Sequence, residues 1–130
     1  MAIKTSSAKA KGRNLQKWVC KKLADVFKLS HGYADTADIK PRPMGQSGVD
    51  IIFNSDQAQD LYPYSIECKS TEHFNLNETL KQAKKNCVSG TEWLIVLKKK
   101  SFKNPIVIMD FDVFVSLNIS RLFRMGAIDD

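Results

Sequence analysis

Two acids and an amine are set apart by their neighbours. Asp50 interrupts the apolar run Val49-Asp50-Ile51-Ile52-Phe53, and Glu67 and Lys69 take alternate positions in Tyr64-Ser65-Ile66-Glu67-Cys68-Lys69-Ser70. An acid inside so apolar a run is costly unless it is paired or binds a metal. Side chains alternate across a strand, so Ser65, Glu67 and Lys69 share one face while Ile66 and Cys68 take the other. Two carboxylates from adjacent strands make an oxygen-rich pocket suited to a hard divalent cation such as Mg²⁺, with water filling its remaining positions. A cation there polarises a phosphorus–oxygen bond and lowers the pKa of a bound water, which Lys69 would orient or deprotonate. Hydrolysis of a phosphate ester is the chemistry these residue types support.

The elements that must position these groups follow from periodicity. From Arg13 to about Leu29, Leu15, Val19, Leu23, Val26 and Phe27 recur at helical spacing, with Lys17, Lys21 and Lys28 on the other side. Gln16 falls inside the apolar sector, so its amide should face the body of the protein. His31 to Ser47 contains Pro41, Pro43 and Gly45 and reads as a loop with room for one short strand. Val49 to Phe53 and Tyr64 to Lys69 read as two strands, antiparallel to one another. Leu76 to Ser89 returns to helical period with Gly90 placed to end it, and Glu92 to Lys98 and Asn104 to Met109 are strands around the turn Lys98 to Asn104. Phe111 to Leu117 fits helix or strand. The sum is an α/β domain, a central mixed β-sheet flanked by helices.

Composition narrows the class. A chain of 130 residues fits one domain, read as residues 13–130 behind a mobile basic arm at 1–12. Twenty Lys and Arg against 14 Asp and Glu give a formal charge of +6, which favours polyanionic partners, nucleic acid ahead of a membrane surface. No apolar run approaches the roughly 20 residues that cross a bilayer, and no signal-peptide segment follows the basic N-terminus, so a cytoplasmic protein is expected. Cys20, Cys68 and Cys87 form no C-x-x-C pair and read as reduced thiols. His31 and His73 stand apart in polar surroundings and read as solvated, and Trp18 and Trp93 read as core residues.

Gly48-Val49-Asp50 followed by Glu67-Cys68-Lys69 resembles the signature of the PD-(D/E)XK nuclease superfamily. Pro43 to Asp50 and Leu80-Lys81-Gln82-Ala83 belong to the same likeness, which covers roughly residues 13 to 98. Among its members the resemblance is to small stand-alone nucleases, Holliday-junction resolvases and phage-encoded endonucleases. It implies a restriction-endonuclease-like core and a Mg²⁺-dependent DNA endonuclease, with Mn²⁺ as a substitute metal and no small-molecule cofactor. Asp50 and Glu67 would be metal ligands, with the Cys68 carbonyl a third and Lys69 the water-positioning base. Many members carry a glutamate on the first helix where this chain has Gln16, a weaker ligand that puts a second metal in doubt. Gln82 matches a glutamine that assists at the active site in relatives, although its wheel position suits either a cleft or solvent. Val49 stands where the family's proline would precede Asp50.

The resemblance further implies DNA, branched forms included, as the partner, a homodimer, and a host cytoplasm if the chain is virus-encoded. Arg13, Lys40 and Arg42, with the run Lys98-Lys99-Lys100, are candidate contacts to a nucleic-acid backbone. Glu72 reads as a loop acid. Two other functions stay open: a nuclease fold that binds nucleic acid without cutting it, kept alive by Gln16, and a nuclease for RNA, for which no single-strand reading motif argues.

Overall fold

A computed structural model of the chain describes residues 2–126. The order of elements is α1 (Ala2–Val26), β1 (Ile39–Pro41), β2 (Ile51–Phe53), α2 (Asp56–Leu61), β3 (Tyr64–Ser70), α3 (Leu76–Lys85), β4 (Glu92–Lys98), β5 (Ile106–Met109) and α4 (Phe111–Arg124). The fold is α/β. β3, β4 and β5 form a mixed sheet, parallel between β3 and β4 and antiparallel between β4 and β5, while β1 and β2 form a separate antiparallel pair.

α1 lies against β3 and β1 because its inner face is small and smooth. Leu15, Val19, Cys20 and Ala24 are buried there with Ile39, Ile51, Ile66, Cys68, Leu94 and Val96. The expected apolar stripe holds in its first half only: Leu23 is half-buried, whereas Val26 and Phe27 are exposed at the end of the helix. Trp18 is also exposed rather than core, with the Lys22 ammonium 5.8 Å from its ring centroid. The helix begins at Ala2, so the residues expected to form a loose arm are helical as far as they are described. They are mostly Ala, Lys and Ser without proline, and a helix already nucleated by its packed half propagates through such a sequence. Met1 of the expected arm and residues 127–130 of the expected domain lie outside the described residues.

The expected antiparallel hairpin of the Asp50 and Glu67 strands does not form. Ser55 caps α2 by accepting the Ala58 N–H, and that helix occupies the connection. β2 pairs instead with β1, in the register Ile39 with Phe53 and Pro41 with Ile51, and meets β3 through the Asp50 N–H, which donates to the Ile66 carbonyl at 3.0 Å. α3 ends at Lys85, short of Gly90, because the chain then turns so that the Val88 N–H reaches Ser65 Oγ at 2.9 Å. Phe111 to Arg124 is helix, begun by Asp110 accepting the Asp112 N–H.

Ile39 is fully buried between α1 and the β1–β2 pair. Ile39→Ala should cost about 2–4 kcal/mol of stability by loss of burial and an unfilled cavity, measured by urea unfolding.

Candidate active site

The sequence of β3 divides its two faces. Ile66 and Cys68 enter the core under α1, and Ser65, Glu67 and Lys69 lie on the face toward α3, whose Thr79 and Ala83 are buried. Ile95 and Leu97, the register partners of Glu67 and Lys69, are buried on that face too. Glu67 is thus an acid at 2% exposure within an apolar layer.

Asp50 reaches the same point from the other side. Just before β2, its Oδ2 accepts the Cys68 N–H at 2.7 Å, so a carboxylate oxygen stands where a neighbouring strand's carbonyl would. The Asp50 and Glu67 carboxyl groups are close enough to act on one another directly. Burial, reinforced by the Asp50 charge, pushes Glu67 up to about 7, against partial relief from Lys69 and Asn86. Asp50 is raised as well, again chiefly by burial, and is held back by the Cys68 N–H, Lys69 and Arg42. Two adjacent acids that cannot both ionise freely are the expected result of burying them together. Glu67 Oε2 is buried with no hydrogen-bond partner, the one such side-chain atom among the described residues.

A loop residue shapes the approach. Gly48 has φ +121°, and a Cβ built on it would come within 2.9 Å of Arg42 Cζ. Arg42 lies across this glycine, its Nε donating to the Val49 carbonyl, and its backbone N–H donates to the Asp50 carbonyl at 2.8 Å.

Some of the expected site residues line two separate recesses flanking β3, Asp50 in one and Lys69 in the other, while Glu67 and Cys68 are buried and line neither. One, of about 190 Å³, has Asp50, Gln16, Arg13 and Arg42 in its wall, closed by the loop of Pro43 to Gln46. Arg13 Nη1 lies 3.0 Å from Met44 Sδ, which ties α1 to that loop. Gln16 therefore faces the body of the protein, on the Asp50 side. The other recess, of about 290 Å³, has Lys69 and Gln82 in its wall, with His73, Asn75 and Glu78. Gln82 is exposed and borders the Lys69 recess.

Two expected backbone contacts do not present free charge. Lys40 is buried at 9% exposure, and its ammonium donates to Asp35 at 3.0 Å, because β1 is covered on both faces. Lys98 turns its ammonium onto its own turn, donating to the Lys99 carbonyl at 2.9 Å and to that of Phe102. Lys100 remains exposed and Lys99 half-buried, and Glu72 accepts the Lys100 N–H at 2.9 Å, which joins this turn to the end of β3. Two residues at the site escaped the sequence. Asn86, the C-cap of α3, donates its Nδ2–H to the Gly48 carbonyl at 3.4 Å and partly offsets the rise at Glu67. His73, expected to be solvated, is exposed within the Lys69 recess. Neither lies in the D…E-x-K spacing: His73 follows β3 closely in the chain, whereas Asn86 is brought there by the end of α3.

Cys20, Cys68 and Cys87 are free, and burial pushes the Cys20 thiol up to about 12 and that of Cys68 well above its ordinary range. The thiolates that would act as nucleophiles or soft-metal ligands are therefore suppressed at those two positions. Comparison of the chain with protein-family models, with curated proteins and with solved structures finds no match.

The acid pair sets a pH dependence. Folded Glu67 holds its proton up to about 7 against an ordinary 4.5, so the folded state binds more protons over that interval. Stability of the metal-free protein is then highest below pH 4.5 as far as this group is concerned, and falls as pH rises toward 7. Glu67→Gln removes the ionisation: its melting temperature in EDTA should lose that slope and at pH 8 exceed the wild type by roughly 5 °C. A second expectation concerns Gly48. Gly48→Val should displace Arg42 and lower stability by about 1–3 kcal/mol in urea unfolding, since both the backbone and the space disfavour a side chain.

Proposed function

We propose that this chain is a divalent-metal-dependent endonuclease that hydrolyses phosphodiester bonds in DNA, a small member of the PD-(D/E)XK superfamily. The observation that carries the reading is the buried, unpartnered Oε2 of Glu67, a carboxyl raised by burial and by the charge of Asp50. Two buried acids raised by their own proximity are what an oxygen-loving dication relieves, and Mg²⁺ commonly takes one or two carboxylates and fills its shell with water and phosphate oxygens. Asp50 and Glu67 would hold it, with the Cys68 carbonyl beside them. When bound, Mg²⁺ supplies Lewis-acid polarisation of the phosphate and a more acidic water.

The protein's own residues do the rest. The Cys68 N–H holds one Asp50 oxygen in place and leaves the other free to coordinate. Lys69 shares the face of Glu67 and acts on the water and the phosphate from the α3 side. Gln82 and His73 stand beside it as polar partners for the same groups. Arg13 and Arg42, which line the Asp50 recess, would meet the scissile strand, and Gln16 would join them as a neutral donor or ligand. The sequence likeness around Gly48-Val49-Asp50 and Glu67-Cys68-Lys69 and the formal charge of +6 favour DNA as the polyanion. One such site cuts one strand at a time. Two copies related by a twofold axis would cut both strands of a duplex or the symmetric strands of a four-way junction.

The test is a cleavage assay on labelled four-way junction, flap, duplex and single-stranded DNA, and on RNA, with Mg²⁺, Mn²⁺ or EDTA. Cuts that need the metal, and that Asp50→Ala, Glu67→Ala and Lys69→Ala each reduce by about a hundredfold or more, are expected. Wild-type rates in those variants would refute the assignment. Salt-sensitive binding with no cuts in any condition would make the chain a non-catalytic binding module.

A further inference from the structure

The first half of α1 stands between two recesses, and one of them holds no part of the acid pair. Arg13 and Gln16 line the Asp50 recess, whereas Lys11, Asn14 and Trp18, spaced by three and four residues, follow one another along a neighbouring flank of the helix. That flank walls a recess of about 310 Å³ together with Lys98, Lys103 and Asn104 from the turn between β4 and β5. Ser70 is in the same wall, next in the chain to Lys69 and on the α1 face of β3 by strand alternation.

Three features of the wall select its occupant. Trp18 is 43% exposed, so much of its indole, a flat apolar surface, is left unused by the core. Lys11 and Lys103 are exposed, neither forms an ion pair among the described residues, and no acid lines the recess, which leaves its field positive. Lys98 turns its ammonium onto the Lys99 and Phe102 carbonyls, and so steadies the turn that carries Lys103 and Asn104. The exposed amides of Asn14 and Asn104 each offer donors and an acceptor. A flat ring, an anion and a hydrogen-bonding edge come together in a nucleotide. Stacking on the indole needs an open base face, which a duplex covers with its next base pair, so the nucleotide is an unpaired one. An acidic peptide would meet the lysines but offers the indole nothing flat.

We infer that this recess is a subsite for an unpaired nucleotide of a DNA strand, its base stacked on Trp18, its phosphate held by Lys11 and Lys103, and its base edge met by Asn14 and Asn104. The choice of DNA rests on the function proposed above, while the subsite rests on this wall and not on metal chemistry at Asp50 and Glu67. Because Ser70 directly follows Lys69, the subsite lies at the end of the strand that carries the proposed water-positioning amine. Cutting beside unpaired nucleotides is the selectivity it would give.

Fluorescence titration of the full chain in EDTA tests it. The chain has two tryptophans, so Trp93→Phe leaves Trp18 as the sole indole emitter. A short oligothymidylate should quench that emission saturably, and less strongly at high salt. By anisotropy of the labelled strand, Trp18→Ala should weaken binding about fivefold or more, and Lys11→Ala/Lys103→Ala about tenfold or more. Should Trp18→Ala unfold, Lys11→Glu/Lys103→Glu, at two exposed positions, gives the same readout. An unquenched indole, or binding unmoved by these folded variants, overturns the subsite. Equal quenching by a blunt duplex, by thymidine monophosphate or by polyglutamate overturns the unpaired strand as its occupant, and tighter binding of oligouridylate overturns the choice of DNA. Binding is read without cleavage, so Glu67→Ala should be quenched as the wild type is. Metal-dependent cuts by a chain whose Trp18 is never quenched would keep the nuclease and remove the subsite.

Discussion

Asp50 Oδ2 accepts the Cys68 N–H at the point where the approach of β2 to β3 ceases to be a backbone ladder. The Asp50 N–H donates to the Ile66 carbonyl just before it, so the residue uses its main chain for one rung and its side chain for the next. This anchors the acid against the strand that carries Glu67. It also explains why β2 can pair with β1 instead, and why α2 fits between β2 and β3: the connection to β3 needs only the Asp50 rungs. The core beneath, from Leu15, Cys20 and Ala24 of α1 to Ile66 and Cys68 of β3, fixes the height at which the acid meets β3.

That anchoring forces two carboxyl groups into one buried place. Desolvation raises both, and their mutual repulsion adds to the rise at Glu67. An apolar pair of the same volume would stabilise the fold better, and a buried group left without a partner costs of the order of 1–3 kcal/mol. A chain that keeps such a pair beside Lys69, with the Cys20 and Cys68 thiols behind it held protonated by burial, retains oxygen chemistry and suppresses sulfur chemistry at the same spot. This physical contrast favours a hard cation over a soft one in the proposed site.

The surfaces divide accordingly. The α1 side of the pair presents Arg13, Gln16 and Arg42, and the α3 side presents Lys69, His73 and Gln82. Two other cations are used internally: Lys40 pairs with Asp35, and Lys98 ties its own turn together. The net charge of +6 therefore overstates the cations free for a polyanion near the sheet. α4 contributes nothing to this basic surface at its exposed apolar stripe.

Local pattern was enough for much of this. Alternation along Tyr64 to Ser70 put Glu67 and Lys69 on one face, the apolar neighbours of Asp50 marked it as an unusual acid, and the helical wheel turned Gln16 inward, because each of these depends on spacing within a single element. The strand Glu92 to Lys98 and the α/β class were legible for the same reason. Pairing was not: β2 chose β1 over β3, and β3 chose β4 in parallel, because partners distant in sequence are selected by the packing of α1 and α3 on the sheet. The same long-range packing buried Lys40 with Asp35, brought Asn86 to Glu67, left Trp18 and the stripe of α4 in solvent, and turned two acids far apart in sequence into one coupled, desolvated pair. Residue type and spacing determined which groups could do chemistry, and only the tertiary structure decided which of them share a low-dielectric site, since desolvation and proximity belong to the assembled core and not to any one segment.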